Sequence, residues 1–195
     1  MINNFEKLNK YLDTLREDEF LFLQVIQRKK EVKDLGSNNR LIKAYFIDSK
    51  DKLERYKDEI IKLCEVFNAR AYVHLSPRNN ERLFSEMLLI MGDYAKSKNF
   101  KALSKTFNTA CGKVNGSNKL WIIDIDDKDW DNLSDIKNTI LKIGLDCKIE
   151  NVIDNVFETK NGFHLITKPF NPYLFKEKYP DIDIHKNNPT LVFCN

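Results

Sequence analysis

A chain of 195 residues with 42% hydrophobic and 31% charged content has the composition of an ordinary globular protein and is long enough to bury a real core. Its 32 basic and 29 acidic residues leave a net charge of only +3, so a polyanionic partner is permitted but not demanded, and any case for one must rest on where single charges sit. No apolar run reaches the ~18 residues of a membrane span, no leader-like segment follows Met1, and Cys64, Cys111, Cys147 and Cys194 lack the spacing of a zinc site or a disulfide framework, so the expectation is a soluble protein of a reducing cytoplasm.

Residues 3–17 read as a first helix, with Phe5, Leu8, Leu12 and Leu15 on one face. Residues 20–32 and 41–48, rich in β-branched and aromatic side chains around the turn-forming stretch 33–40, read as an antiparallel hairpin. Ser49 or Asp51 is placed to cap a helix carrying Leu53, Tyr56, Ile60, Leu63 and Phe67 along one stripe. The strand expected at 70–75 would complete a β-α-β unit with the hairpin's second strand and make the sheet mixed. Asn79 or Asn80 then caps a helix reaching about Ser97, with Leu83, Met87, Ile90, Met91 and Tyr94 as its core face. A short helix at 100–107 precedes a loop, 109–119, whose glycines and lysines suit either a phosphate contact or a solvated turn.

The strand that follows, Leu120-Trp-Ile-Ile-Asp-Ile-Asp-Asp127, ends in carboxylates. At about 3.3 Å rise per residue and a period of two, Asp124 and Asp126 share a face, while Ile123 and Ile125 turn to the opposite layer. A helix at 132–143 buries Ile136, Ile140 and Ile143 and leaves Gly144 as its C-cap. Strands at 148–158 and 163–167 flank the turn 159–162, a Pro-bounded helix spans 171–179, and hairpin-like pieces follow at 182–185 and 190–193. The whole reads as one α+β domain with a mixed sheet flanked by helices, divided into an N-terminal α/β part (1–114) and a motif-bearing part (115–195).

Three features can carry chemistry. Asp124 and Asp126 are candidate ligands for a divalent cation; His164 opens a strand just after the Asn161-Gly162 turn; Asp183 stands alone between Ile182 and Ile184. Singly each has a plain explanation, as a solvated acidic turn, a hydrogen-bonded histidine and a turn acid. Together they supply the parts for two-metal nucleotidyl transfer.

With those residues in that order, the chain resembles the archaeo-eukaryotic primase superfamily, and within it the compact primase-polymerases of plasmids and viruses. The family's three motifs look like Trp121-Ile-Ile-Asp-Ile-Asp126, Lys160-Asn-Gly-Phe-His164 and Ile182-Asp-Ile184, with 37 residues between Asp126 and His164 and 18 between His164 and Asp183. The resemblance implies a primase-polymerase fold, with an RRM-like half after the N-terminal α/β unit. It also implies a DNA primase/polymerase activity in which Asp124, Asp126 and Asp183 bind Mg²⁺ or Mn²⁺ and His164 contacts the phosphates of a nucleoside triphosphate. Lys160, Asn161 and Gly162 would belong to the same pocket. Arg78, Arg82, Lys113 and Lys119 are candidates to follow a single-stranded DNA template, with solvated charge as the plainer role for each. The chain stops just after the third motif and carries no zinc module, so a separate helicase or replication protein is an expected partner.

Other readings stay open. His74-Leu-Ser76 and His164-Leu-Ile-Thr167 approximate the paired motifs of 2H phosphoesterases, although the second has one residue too many, which turns Thr167 to the wrong face. Glu158-Thr-Lys160 matches a fragment of a metal-dependent nuclease pattern. A non-catalytic nucleic-acid-binding module on a primase-like fold is the remaining alternative.

Overall fold

The computed structural model describes residues 1–32, 38–114, 118–126, 128 and 130–195, with only the backbone of Trp130. Residues 33–37 of the turn-forming stretch, 115–117 of the expected loop, and Asp127 and Asp129 lie outside the described residues. The chain is α+β, with two antiparallel sheets and six α-helices among the described residues.

The first sheet runs, in spatial order, β1 (Ile2–Asn3), β9 (Thr190–Cys194), β4 (Arg70–Asn79), β2 (Glu19–Gln27) and β3 (Arg40–Ile47). Its hairpin is β2 (Glu19–Gln27) and β3 (Arg40–Ile47), as the turn-forming residues predict. Helix α2 (Lys50–Val66) follows, and Ser49, in extended conformation, caps it by accepting the Lys52 N–H at 3.3 Å. Strand β4 (Arg70–Asn79) then pairs with β2 rather than with β3. The crossover through α2 thus skips a strand, so β3 and β4 run parallel on either side of β2 and every ladder is antiparallel. The mixed sheet expected from the sequence is corrected accordingly. Leu21, Leu23, Val25, Ala71 and Val73 pack under Leu53, Ile60 and Cys64 of α2. Phe20 and Phe22, alternating with them, pack under α3 (Asn80–Lys96) and α4 (Thr106–Lys113) through Leu83, Ile90, Ala110 and Cys111.

Two helical expectations change. The first segment is strand β1 (Ile2–Asn3), a 3₁₀ turn (Phe5–Leu8) and the short α1 (Asn9–Leu12). Buried Asn4 breaks the longer helix because its side-chain amide donates to the carbonyls of Glu158 (2.9 Å) and Leu191 (3.1 Å). Of the expected 109–119 loop, residues 109–113 instead belong to α4, since burial of Ala110 and Cys111 outweighs the helix-weakening Gly112.

The second sheet is built from β5 (Trp121–Ile125), α5 (Trp130–Asp146), β6 (Ile153–Glu158), β7 (Phe163–Thr167), α6 (Pro172–Lys178) and β8 (Asp183–His185), in the order β6-β7-β5-β8. Ile123, Ile125, Phe163 and Leu165 face α5 and α6. Ile122 and Ile166, on the other face, join the core of the first sheet. The last two strands are not a hairpin: β8 pairs with β5, whereas β9 (Thr190–Cys194) crosses to the first sheet between β4 and β1. The N-terminal sheet is therefore completed by the end of the chain. No described helix is long and apolar enough to cross a membrane.

Gly144 lies inside α5 rather than at its C-cap, because an added Cβ there would come within 2.7 Å of Val152 Cγ1 and 3.0 Å of Val152 Cβ. Gly144→Ala should therefore lower the melting temperature, overpacking of ~1–3 kcal/mol exceeding the ~1 kcal/mol helix-propensity gain. Val152→Ala in the same background should recover part of that loss; a more stable Gly144→Ala protein would contradict the close packing.

Candidate active site

Antiparallel pairing sets three of the candidate residues in one row. Asp124, near the end of β5, is opposite His164 of β7 on one side and Asp183 of β8 on the other. Directly opposed residues project from the same face, so the row continues the face of Ile122 and Ile166 beyond the apolar core. The residues along this face change from apolar to polar because one end meets the first sheet and the other opens into a cleft of about 730 Å³. Ile26, Tyr72 and Leu191 bring the first sheet to that cleft, and Asp124, Asp126 and His164 bring the second.

Each carboxylate oxygen of Asp124 faces an imidazole: His164 Nε2 is 3.4 Å from Oδ1 and His185 Nε2 is 3.6 Å from Oδ2. The hydrogen bond from His164, aided by the charges of both histidines, holds the Asp124 carboxyl below its ordinary range against the opposing effect of burial. On the far side of its ring, His164 Nδ1 is 2.9 Å from Oγ1 of Thr190, which is buried on β9 of the first sheet. One histidine thus ties the two sheets together at the carboxylate.

The cations of the cleft are Arg28, Lys30, Arg70 and Lys160. Arg70 is doubly hydrogen-bonded to Glu31, with Nε donating to Oε2 at 3.1 Å and Nη2 donating to Oε1. Lys160 and Asn161 reach the cleft from the four-residue turn, which is closed by the Thr159 N–H donating to the Gly162 carbonyl at 2.8 Å and by the Gly162 N–H donating to Thr159 Oγ1 at 3.0 Å. Gly162 itself is buried and shapes the turn.

The remaining candidates separate. Asp126 follows the last residue of β5 and lines the cleft; Asp183 is exposed at the sheet edge, outside the cleft wall. The three acids have the hard oxygen donors that Mg²⁺ or Mn²⁺ takes, and Asp124 and Asp183 occupy directly opposed positions on adjacent strands. Among the described residues, however, no three His, Cys, Asp or Glu side chains are gathered as a metal cluster. Arg78 is fully buried, donating to the carbonyls of Cys111 (3.0 Å) and Ser76 (2.9 Å), so it fastens α4 to β4 and is not on a surface that a template touches. Lys113 pairs with Glu86 at 3.0 Å; Arg82 and Lys119 are exposed away from the cleft wall.

His74 and Thr167 do not extend the site. His74 stacks on Phe22, where burial and the nearby Arg78 charge lower its pKa to about 4, and Thr167 alternates to the face opposite His164. Sequence reasoning missed His185, Arg70 and Thr190. His185 had a signal, since it sits two residues from Asp183 on the same strand and therefore on the same face. Arg70 and Thr190 had none, because their roles depend on which strands become neighbours. The chain matches no known protein family, no curated protein and no solved structure.

A carboxyl held below its ordinary value of 3.8 stabilises the fold above that pH and ceases to do so as pH falls through the depressed folded-state value. Asp124→Asn is thus expected to be less stable than wild type at about pH 6, with the difference shrinking below about pH 4. Urea-denaturation midpoints across that range test this, and a difference independent of pH would contradict the pairing.

Proposed function

We propose that the chain is a template-dependent nucleotidyltransferase of the primase-polymerase type, joining nucleotides from nucleoside triphosphates along single-stranded DNA. The observation that carries this reading is the row His164–Asp124–Asp183, in which all three sequence motifs meet on adjacent strands beside a cleft. The second sheet supports it: strand-helix-strand-strand-helix-strand, with the first strand between the third and fourth, is the split arrangement of ferredoxin-like and RRM-like sheets.

In this reading Asp124, Asp126 and Asp183 hold Mg²⁺ or Mn²⁺. A divalent cation bound there lowers the pKa of the attacking hydroxyl and offsets phosphate charge. The protein's own groups do the rest. His164, with Nδ1 held by Thr190, faces Asp124 through Nε2 on the cleft wall; on exchanging that carboxylate for a phosphate oxygen, Nε2 can donate its proton as charge builds on the leaving pyrophosphate. Arg28, Lys30, Arg70 and Lys160 supply a cationic wall for a triphosphate, and Asn161 a neutral donor. Exposed Arg82 and Lys119 remain candidates for the template backbone, and a separate helicase or replication protein for a partner.

One observation favours the non-catalytic nucleic-acid-binding reading. Asp124 is compensated by two histidines, so its burial does not by itself require a cation. Incorporation of labelled NTPs and dNTPs on single-stranded and primed DNA with Mg²⁺ or Mn²⁺ separates the two. Template-dependent product is expected, falling ~10³-fold or more, about 4 kcal/mol of barrier, in Asp124→Ala/Asp126→Ala. His164→Ala is expected to act mainly through the nucleotide KM. Nucleic-acid binding retained by both proteins with no product under any condition would instead support the binding module.

A further inference from the structure

Helix α3 carries a second apolar stripe that the protein does not bury. Leu83 and Ile90 point into the core, with Met87 and Tyr94 packed partly against it. About 100° around the helix are Phe84 (69% exposed), Leu88 (66%), Met91 (43%) and the exposed Ala95, spaced four, three and four residues apart. That spacing is the seam of a helix that packs lengthwise on another helix. Gly92, beside the seam, has open space where its Cβ would be, so a second backbone can approach closely.

The ends of the helix differ in charge, acids outnumbering the exposed Arg16 and Arg82 at its start and lysines dominating its end. Glu81 is in the first turn, and exposed Glu17 and Asp18 adjoin it, the Asp18 carbonyl accepting the Asn80 N–H at 2.8 Å. Beyond the seam, Lys96, Lys98 and Lys101 are exposed with no acid between them. An acidic partner helix would satisfy only the basic end; an antiparallel copy of α3 satisfies both.

We propose that two copies of this chain associate through α3, antiparallel about a two-fold axis between Leu88 and Met91. That axis sets Leu88 against Met91 of the second copy, bulky Phe84 against small Ala95, and Glu81 against Lys98. The same patch serves both copies, as a closed two-fold interface requires. The surface is separate from the cleft, although α3 also carries Arg82, a candidate for the template backbone.

Sedimentation equilibrium of the whole chain across ~1–200 μM tests this, that range bracketing the affinity of a small interface. The mass should rise with concentration from 23.0 kDa toward twice that value. Leu88→Glu, at an exposed position that should not disturb folding, should abolish the rise. Glu81→Lys and Lys98→Glu should each weaken association about three- to tenfold, and the double exchange should restore it. A mass fixed at one chain, a dimer that survives Leu88→Glu, or charge exchange without rescue would each overturn the proposal. A monomer that binds an acidic amphipathic helical peptide through Leu88 would reassign the surface to a partner.

Discussion

Strand β5 is covered on both faces, and this constraint fixes the rest of the second sheet. Ile123 and Ile125 must meet the helices α5 and α6, while Ile122 must meet the first sheet, so neither the register nor the orientation of β5 can slip without burying Asp124 in the wrong layer. Only where the two sheets diverge does the inner face change from isoleucine to aspartate. The carboxylate therefore stands at the boundary between a dry interface and a wet cleft, half-desolvated and held by neighbours on both flanking strands.

Two long-range ties keep that boundary in place. Asn4 bonds to a carbonyl of β6 and a carbonyl of β9, joining the sheets at one end. His164 bonds to Thr190, also on β9, and faces Asp124, joining them at the site. The return of the last strand to the first sheet is thus part of the site's construction. It supplies the residue that fixes an imidazole, and it closes the sheet against which the cleft forms. Charge in the cleft is partly paired before any ligand arrives, Arg70 with Glu31 and Asp124 with two histidines. A polyanion or a cation entering there exchanges existing partners rather than meeting bare charges, which limits the electrostatic gain to a difference between pairings.

What the sequence made legible was local. Period-two and helical patterns located the hairpin, β5, the β6–β7 turn and the long helices, and the cap candidates Ser49 and Asn79 each accept a backbone N–H three residues on. The three residues that the motif resemblance singled out, Asp124, His164 and Asp183, are register neighbours on adjacent strands. What it hid was nonlocal. No pattern within 70–75 says that this strand joins β2 and not β3, nor that 190–194 leaves its apparent hairpin partner for another sheet. Arg78 looked like a surface cation because its type is usually exposed, yet it lies in the interior, where two backbone carbonyls accept from Nε and Nη1 while Nη2 has no hydrogen-bond partner. Gly144 looked like a helix end, though its lack of a side chain serves packing against Val152.

The central claim is that the row formed by β7, β5 and β8 is a cation-assisted phosphate site. Its most direct test is anomalous diffraction from crystals soaked with Mn²⁺ and a nonhydrolysable nucleoside triphosphate. A manganese peak is expected, bonded at about 2.1–2.2 Å to an Asp124 oxygen and to Asp126 or Asp183, with the triphosphate against His164 and Lys160. Nucleotide and metal bound elsewhere, with Asp124 still held between its two histidines, would contradict it.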